Sequence, residues 1–264
     1  MSLGAATAFY EPLGEDRYRS TEHTVGPWGP DSQHAGPPSA LLGRVLERAA
    51  SSWPGTLTRI SVDILGAVPV AELTVRTRTL RPGRSVELVE AELEAGGRPV
   101  LRATAWRMSV DALELPPSPL EPDPVPEFST EDGPFYDWGG GYLQAMQWRF
   151  VPGASRGLGQ SAVWARMRVP LVPDEEPTGL QRLLTLADSG NGVSHRLDAR
   201  EWYFINTELT VHLIAPPAGE WFCLAATTRL DDSGFGLASS RIYDRTRLVG
   251  LGAQSLFVRP RASA

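Results

Sequence analysis

Asp188 is the residue whose type and position most directly indicate chemistry in this sequence. It follows Leu180, Leu183 and Leu184, which recur at helical spacing, so it lies in the last turn of a predicted helix. A carboxylate at that end opposes the helix dipole, which costs several tenths of a kcal/mol. If the side chain is buried, its pKa rises toward neutral pH, as a base that activates water requires. The alternative is a polar turn from Asp188 to Asn191 exposed to water, and the residues alone leave both interpretations open.

Gln254 is the second candidate, because it interrupts a strand of small and apolar residues. Period-two alternation places it on the same face as Leu256 and Val258, which indicates an inward amide. An inward amide requires hydrogen-bond partners, since burial without them costs a few kcal/mol. Its small neighbours leave room for a ligand or water, although a satisfied core amide is the simpler alternative. Asn206, early in a predicted strand, could position a water or a carbonyl group, or end a turn, which the residue alone favours.

His34 lies just before the first predicted helix, where free backbone N–H groups can receive an oxyanion or a phosphate. A single histidine in a loop is more often an ordinary surface residue. None of the four histidines has the spacing to Cys, Asp or another His that a metal site requires, so no metal is expected. Lysine is absent and all 25 basic residues are Arg, which excludes Schiff-base chemistry, a phosphate-loop lysine and a lysine base. We therefore expect no cofactor.

Composition and charge exclude several classes of function. With 264 residues, 42% hydrophobic and 21% charged, the chain is typical of a globular protein with one large domain or two ordinary ones. The net charge of −6 and the pI of about 5.3 argue against nucleic acid and anionic membranes as partners. No apolar run reaches the length that spans a bilayer, and the N-terminus lacks the pattern of a secretory signal. The single cysteine, Cys223, suits a reducing compartment, so we expect a cytoplasmic protein.

The same order of elements is predicted twice along the chain, which indicates an internal duplication. The first copy consists of a helix and four strands, predicted at 36–50, 57–66, 70–81, 84–95 and 98–108. The second copy has two leading strands, then a helix that starts at Pro177-Thr178-Gly179 and ends at Gly190-Asn191-Gly192, then four further strands. Its strands are predicted at 146–151, 161–169, 201–214, 219–231, 235–245 and 248–259. A helix followed by an antiparallel meander is typical of an α+β fold, here with one long curved sheet wrapped around two central helices.

These patterns divide the chain into an N-terminal unit at 1–109, a Pro/Gly-rich linker at 110–145 and a C-terminal unit at 146–264. The linker has six prolines between Pro116 and Pro126, which is typical of an extended surface segment. The polar residues occur in the helix and last strand of the second copy and not at the corresponding places of the first. We therefore expect a single site per chain, formed mostly by the C-terminal unit.

Three stretches occur in a characteristic order: Gln33-His34-Ala35-Gly36-Pro37-Pro38-Ser39-Ala40-Leu41-Leu42, Asn206-Thr207-Glu208-Leu209-Thr210-Val211-His212 and Gly252-Ala253-Gln254-Ser255. In this order and spacing they resemble the acyl-CoA thioesterase II (TesB-like) family of double hotdog proteins, over about residues 20–259. The resemblance implies two fused hotdog units that hydrolyse an acyl-CoA thioester with activated water, without a metal and without a covalent acyl-enzyme. The family's Asp and Gln would be Asp188 and Gln254. Its third polar residue, usually Thr or Ser, is matched by Asn206, and Ile214-Ala215 replaces an Arg often found there; both are departures from the family pattern.

The resulting hypothesis is that Asp188 accepts a proton from a water held by Asn206 and Gln254. Backbone N–H groups near Gly36, next to His34, would bind the substrate and stabilise the oxyanion. The acyl chain would occupy the apolar seam between helix and sheet.

Two alternatives stay open at this point. One is a tandem hotdog hydratase or dehydratase, which would pair an acidic residue with a histidine; His195 follows Asp188 by seven residues. The other is an acyl-CoA-binding protein of the same fold without activity. Because hotdog sheets often extend across subunits, a homodimer also stays open.

Overall fold

The computed structural model describes residues 7–14, 16–133, 141–154 and 158–261. Its strands are β1 Tyr10–Pro12, β2 Arg17–Ser20, β3 Thr56–Ile64, β4 Glu72–Arg81, β5 Val86–Ala95, β6 Arg98–Met108, β7 Met146–Phe150, β8 Gln160–Met167, β9 Trp202–Asn206, β10 Glu208–Leu213, β11 Phe222–Asp231, β12 Phe235–Tyr243 and β13 Leu248–Pro260. Its α-helices are α1 Gly36–Arg48, α2 Gly141–Ala145, α3 Gly179–Ala187 and α4 Gly190–Val193. In the described part of the chain, no helix is both long and apolar enough to cross a membrane.

All strands belong to one antiparallel sheet in the order β1-β2-β4-β5-β6-β3-β10-β13-β12-β11-β8-β7, and β9 pairs with β13 beside this path. The order β4-β5-β6-β3 of the first half reappears as β11-β12-β13-β10 in the second, which confirms the predicted duplication. The halves join where β3 pairs with β10, with Val62 opposite Leu209. The α+β class and the wrapped sheet are therefore as predicted.

The two long helices, α1 and α3, pack against each other inside the curved sheet. Leu41 and Leu42 of α1 and Leu183 and Leu184 of α3 are fully buried. A Cβ atom added to Gly43 would lie 2.4 Å from the Leu184 side chain, so the glycine permits this close approach. The close contact brings the start of α1 next to the end of α3, where Asp188 is located.

Four details differ from the sequence-based expectations. The predicted strand 201–214 is two strands, β9 and β10. They separate at Thr207, whose N–H donates to the Ser255 carbonyl and whose carbonyl accepts from the Ile64 N–H. The predicted helix stop at Gly190-Asn191-Gly192 is wrong: α3 ends earlier, and these residues form the separate turn α4. Strands β1 and β2 were not predicted. The last part of the predicted linker, Gly141–Ala145, is helical, and its residues 134–140 lie outside the described ranges.

Candidate active site

Asp188 is a buried carboxylate at the C-terminal end of α3. It follows the last helical residue and is only 7% exposed, so the interpretation as a water-exposed polar turn is wrong. Burial raises the pKa of Asp188 from 3.8 to about 7, while hydrogen bonds from Asn206, from Gln254 and from the Ala35 backbone N–H oppose the rise. The carboxyl group is therefore divided between its protonated and ionised forms near neutral pH.

Two side-chain amides converge on this carboxyl group. Asn206, at the end of β9, donates from Nδ2 to Asp188 Oδ1 at 2.8 Å. Gln254, in β13, donates from Nε2 to the same Oδ1 at 3.1 Å and to the Asp188 main-chain carbonyl at 2.9 Å. Gln254 is 2% exposed and faces inward, as the strand alternation predicted. The three residues that the sequence singled out thus lie in direct contact.

Asn191 is a further member of the site that the sequence did not reveal. Its backbone N–H donates to Gln254 Oε1 at 2.9 Å, and its side-chain Nδ2 donates to the Phe204 carbonyl at 2.7 Å. The first bond fixes which end of the Gln254 amide faces Asp188. The only sequence signal was the Gly190-Asn191-Gly192 triplet, which was interpreted as a helix stop. A Cβ atom on Gly190 would lie 2.9 Å from Gln254 Oε1, so the glycine lets α4 lie against β13.

His34 lies at the start of α1, with Nδ1 3.4 Å from Asp188 Oδ2. Nδ1 accepts the backbone N–H of Gly36 at 3.0 Å, so in the neutral imidazole the proton is on Nε2. Burial lowers the pKa of His34 to about 3, which keeps the ring neutral. The ring stacks on Tyr142 of α2 at a centroid distance of 3.8 Å, and the Tyr142 hydroxyl donates to the Thr185 carbonyl at 2.9 Å. His34 is therefore a fixed part of the site, and Tyr142 is a second residue that the sequence did not reveal.

Gly36 holds the start of α1 against the end of α3. A Cβ atom at this position would lie 2.2 Å from the Thr185 carbonyl oxygen, so no larger residue fits without a shift of the backbone. The Gly36 N–H donates to His34 in this structure. Its role as an oxyanion donor stays a prediction.

A cavity of about 930 Å³ opens onto Asp188. Asn206, His34 and His195 also line it, and His195 Nδ1 lies 3.1 Å from the Gly192 carbonyl oxygen. Part of the wall is apolar, formed by Ile64, Leu65, Val68, Leu143 and Phe204. The site thus combines a carboxyl group that ionises near pH 7 with space for a partly apolar ligand.

Comparison with known proteins identifies the family. The profile of the acyl-CoA thioesterase N-terminal domain matches residues 24–108, and that of the acyl-CoA thioesterase C-terminal domain matches residues 117–258. The chain belongs to the acyl-CoA thioesterase family. The family that the sequence motifs resemble is confirmed, and the chain is a thioesterase.

Solved structures show the same double hotdog fold. The acyl-CoA thioesterase II TesB2 of Mycobacterium marinum is 17% identical with a TM-score of 0.67, and 96% of each chain is covered. The tesB protein of Mycobacterium avium subsp. paratuberculosis is 15% identical with a TM-score of 0.69, covering 96% of this chain and 97% of that one. A conserved hot dog fold protein of unknown function from Alicyclobacillus acidocaldarius is 14% identical with a TM-score of 0.71, and 96% of each chain is covered. A search of curated protein sequences gives no significant match.

Proposed function

We propose that this thioesterase hydrolyses acyl-CoA thioesters to the free acid and CoA with a water activated by Asp188. The observation that supports this most directly is a buried carboxyl group of pKa about 7, held by two amides at the wall of a partly apolar cavity. A general base works best when its pKa lies near the working pH. An ordinary aspartate has a pKa far below the working pH and would be a weaker base.

The hydrogen bonds around the carboxyl group suggest where the water binds. Both N–H groups of the Gln254 amide are donated to Asp188, and those of Asn206 are donated to Asp188 and to the Glu208 carbonyl. A water that attacks through its oxygen must donate its hydrogens, so its partners in this proposal are Asp188 Oδ2 and Asn206 Oδ1. Gln254 then acts by holding Asp188 in place, while its Oε1 accepts the Asn191 N–H.

In this proposal, hydrolysis passes through a tetrahedral intermediate. The water oxygen bonds to the thioester carbonyl carbon while Asp188 takes one of its protons. The tetrahedral intermediate then expels the thiolate, its C–S bond breaks, and Asp188 returns the proton to the CoA sulfur. Asp188 is ionised again at the end of the cycle.

His34 is the proposed donor to the carbonyl oxygen. Because Nδ1 accepts the Gly36 N–H, the neutral ring offers Nε2–H as its donor. Its low pKa keeps the imidazole neutral through the reaction, so it stabilises the oxyanion as a hydrogen-bond donor and not as a cation. The predicted contribution of the Gly36 N–H would require that bond to turn from His34 to the substrate.

The experiment that tests this proposal measures thiol release from a series of saturated acyl-CoA substrates. The wild type should release CoA, and Asp188→Asn should be slower by about a thousandfold, within the range usual for loss of a general base. Asp232→Asn, which removes an exposed carboxylate in the β11–β12 turn, is the matched control and should leave the rate unchanged. Equal rates for Asp188→Asn and wild type would exclude Asp188 as the base.

One observation favours the hydratase alternative: the structure places a histidine, His34, against the carboxyl group of Asp188. Hydration of an enoyl-CoA removes the absorbance of its conjugated double bond and releases no thiol. Loss of that absorbance without thiol release from any saturated acyl-CoA would favour the hydratase. Binding of CoA without either reaction would favour the inactive binding protein. The cytoplasmic location and the homodimer stay predictions.

A further inference from the structure

The ring of Tyr142 is the surface against which the imidazole of His34 packs. The two rings lie 3.8 Å apart between centroids with an angle of only 11° between their planes, so they are stacked face to face. Tyr142 is fully buried, and the ring of Trp148 meets it at 6.0 Å with an interplanar angle of 76°. A ring packed on several sides keeps one orientation, since protein interiors are close-packed. The plane of the imidazole is therefore set by a ring that is itself held.

The backbone attaches both residues to the same short segment. The His34 N–H donates to the Thr24 carbonyl at 2.8 Å, and the Tyr142 N–H donates to the next carbonyl, that of Val25, at 2.9 Å. Gly141 permits the second bond, because its φ of 59° suits glycine and an added Cβ atom would lie 2.2 Å from the Val25 carbonyl oxygen. Backbone and side-chain contacts thus independently place Tyr142 beside His34.

The hydroxyl group of Tyr142 connects the same ring to the end of α3. It lies 2.9 Å from the Thr185 carbonyl oxygen and 2.8 Å from Ser189 Oγ. A carbonyl oxygen can only accept, so the tyrosine proton goes to Thr185, and the Ser189 hydroxyl donates to the tyrosine oxygen. Thr185 lies in the last turn of α3, whose carbonyls lack a partner within the helix. Because Asp188 lies between these two contacts along the chain, one side chain links His34 to the turn that carries Asp188.

Two groups compete for Nδ1 of His34. The Gly36 N–H donates to it at 3.0 Å, which requires a nitrogen without a proton. Asp188 Oδ2 lies 3.4 Å away and, once ionised, would accept from a nitrogen that carries one. An imidazole free to turn toward Asp188 would place its proton on Nδ1 and leave Nε2 without one. The orientation of the ring therefore decides which nitrogen can donate to a substrate.

We propose that Tyr142 is the positioning residue for His34. Its ring keeps the imidazole facing the Gly36 N–H, with the proton on Nε2, and its hydroxyl holds that ring to the turn that carries Asp188. Tyr142 is not among the residues that line the cavity, so it acts through His34 and not on the substrate. This inference rests on the proposed function, because it concerns the proposed donor to the carbonyl oxygen.

The kinetic test measures thiol release from one saturated acyl-CoA by the wild type, Tyr142→Leu and Tyr142→Phe. Tyr142→Leu removes the ring and should lower kcat about tenfold to a hundredfold, since outright removal of an oxyanion donor costs about 10²–10³-fold. KM should stay within about twofold of the wild type, because the bond to the oxyanion strengthens only in the transition state. Tyr142→Phe keeps the stack and should recover most of the lost kcat.

Two further variants control for loss of structure. Tyr243→Leu removes a buried tyrosine from the separate cluster that contains Trp164 and Cys223, so it should lower Tm and leave kcat at the wild-type value. Tyr142→Met fills more of the space without a flat ring and gives the same test should the leucine variant not fold. Equal losses of kcat in Tyr142→Phe and Tyr142→Leu would show that the stack is not what matters and would overturn the proposal.

A double-mutant cycle with His34 separates positioning from a general loss of structure. His34→Ala should lower kcat about a hundredfold. Adding Tyr142→Leu to it should change kcat by less than about twofold, because no imidazole is left to position. A further loss in the double variant as large as in Tyr142→Leu alone would overturn the positioning role. Wild-type kcat in Tyr142→Leu would overturn it as well.

Nitrogen-15 NMR of histidine-labelled protein reads the position of the proton without catalysis, with His34→Ala identifying the His34 signals. Above pH 7, where Asp188 is ionised, the wild type and Tyr142→Phe should show a bare Nδ1 and a protonated Nε2. In Tyr142→Leu the two shifts should move toward each other as the proton is shared. Unchanged shifts in Tyr142→Leu would overturn the proposal and leave the hydrolysis standing if the wild type releases thiol. The expected shifts in a protein that releases no thiol would support the positioning of His34 and overturn the hydrolysis.

Discussion

Replacement of Asp188 by Asn should make the protein more stable while it removes the activity. In the folded protein the pKa of Asp188 is about 7, and the ordinary aspartate value is 3.8. The folded state therefore holds the proton more tightly than the unfolded state, and ionisation of Asp188 opposes folding. This destabilisation is absent below pH 3.8, grows as the pH rises toward 7, and is constant above 7. Asparagine cannot ionise, so the variant lacks this destabilisation.

The magnitude follows from the two pKa values. A rise from 3.8 to about 7 corresponds to about 4 kcal/mol at pH 8, and at pH 4.5 the same relation gives about 1 kcal/mol. The asparagine can keep the hydrogen bonds from the two amides, because its Oδ1 can still accept from Asn206 and Gln254. For a chain of this size the difference at pH 8 corresponds to an increase in Tm of about 8 °C or more.

The assay is a set of thermal melts of wild type and Asp188→Asn at pH values from 4.5 to 8.5, with Asp232→Asn as the control that should follow wild type throughout. The difference in Tm between Asp188→Asn and wild type should widen up to about pH 7 and then stay constant. An Asp188→Asn variant that melts at or below the wild-type temperature at pH 8 would refute the reasoning. Ionisation of the carboxyl group would then not destabilise the folded protein, and its pKa would not be raised.

Three further outcomes follow from the same contacts. The wild-type kcat/KM should rise with pH through a midpoint near 7 and level off above it, because only ionised Asp188 takes the proton; a profile that is flat from pH 5 to 9 would contradict this. Asn206→Ala removes a donor to the carboxylate, so the pH–rate midpoint should move up by about one unit and kcat should fall by about tenfold or more. Asn206→Thr keeps a donor and should leave the midpoint near 7, and equal midpoints in both variants would exclude this role for Asn206. Gly36→Ala should lower stability by about 1–3 kcal/mol in urea unfolding, because its Cβ would lie 2.2 Å from the Thr185 carbonyl. Gly66→Ala, where a Cβ meets nothing within 4 Å, is its control, and equal losses in the two would show that the contact is not limiting.

The sequence was sufficient for those parts of the site that depend on local periodicity. Helical spacing placed Asp188 at a helix end, and strand alternation turned Gln254 inward, because each signal arises within a few neighbouring residues. Asn191 and Tyr142 could not be found in this way. Asn191 acts on Gln254, 63 residues away, through its backbone N–H, so its residue type gives no signal. Tyr142 belongs to the predicted linker, and its stacking on His34 depends on how that segment returns to α1.

The raised pKa of Asp188 could not be predicted from the sequence either. It depends on the burial of one carboxyl group between four elements, and the same residues in an exposed turn would have given an ordinary value. The break between β9 and β10 also depends on long-range packing, since it follows from hydrogen bonds of Thr207 to two separate strands. Local patterns thus gave the elements and several site residues, while the electrostatics required the packed fold.

The internal duplication creates a second place where a helix end meets a helix start, and its residues explain why it is not a second site of the same kind. At the end of α1, Glu47 accepts hydrogen bonds from Thr178 Oγ1 at 3.0 Å and from Gln181 Nε2 at 2.8 Å, and burial raises its pKa. A carboxyl group held by neighbouring donors is therefore present there too. What differs is the group on the strand behind the helix end.

In the active half, the strand behind the helix end supplies a neutral amide, Gln254, which donates to the Asp188 main-chain carbonyl. In the first half, the strand supplies the guanidinium of Arg107, which donates to the Leu46 carbonyl at 2.5 Å and pairs with Glu87 at 2.6 Å, both side chains buried. Removal of one partner from such a buried pair costs about 3–5 kcal/mol, so the pair is fixed by stability. The Arg107 guanidinium is thus engaged by Glu87 and the Leu46 carbonyl, whereas Gln254 also donates to the carboxyl group of Asp188. The neutral amide at position 254 brings no charge to Asp188, so burial remains the largest influence on the pKa of that carboxyl group, opposed only by hydrogen bonds.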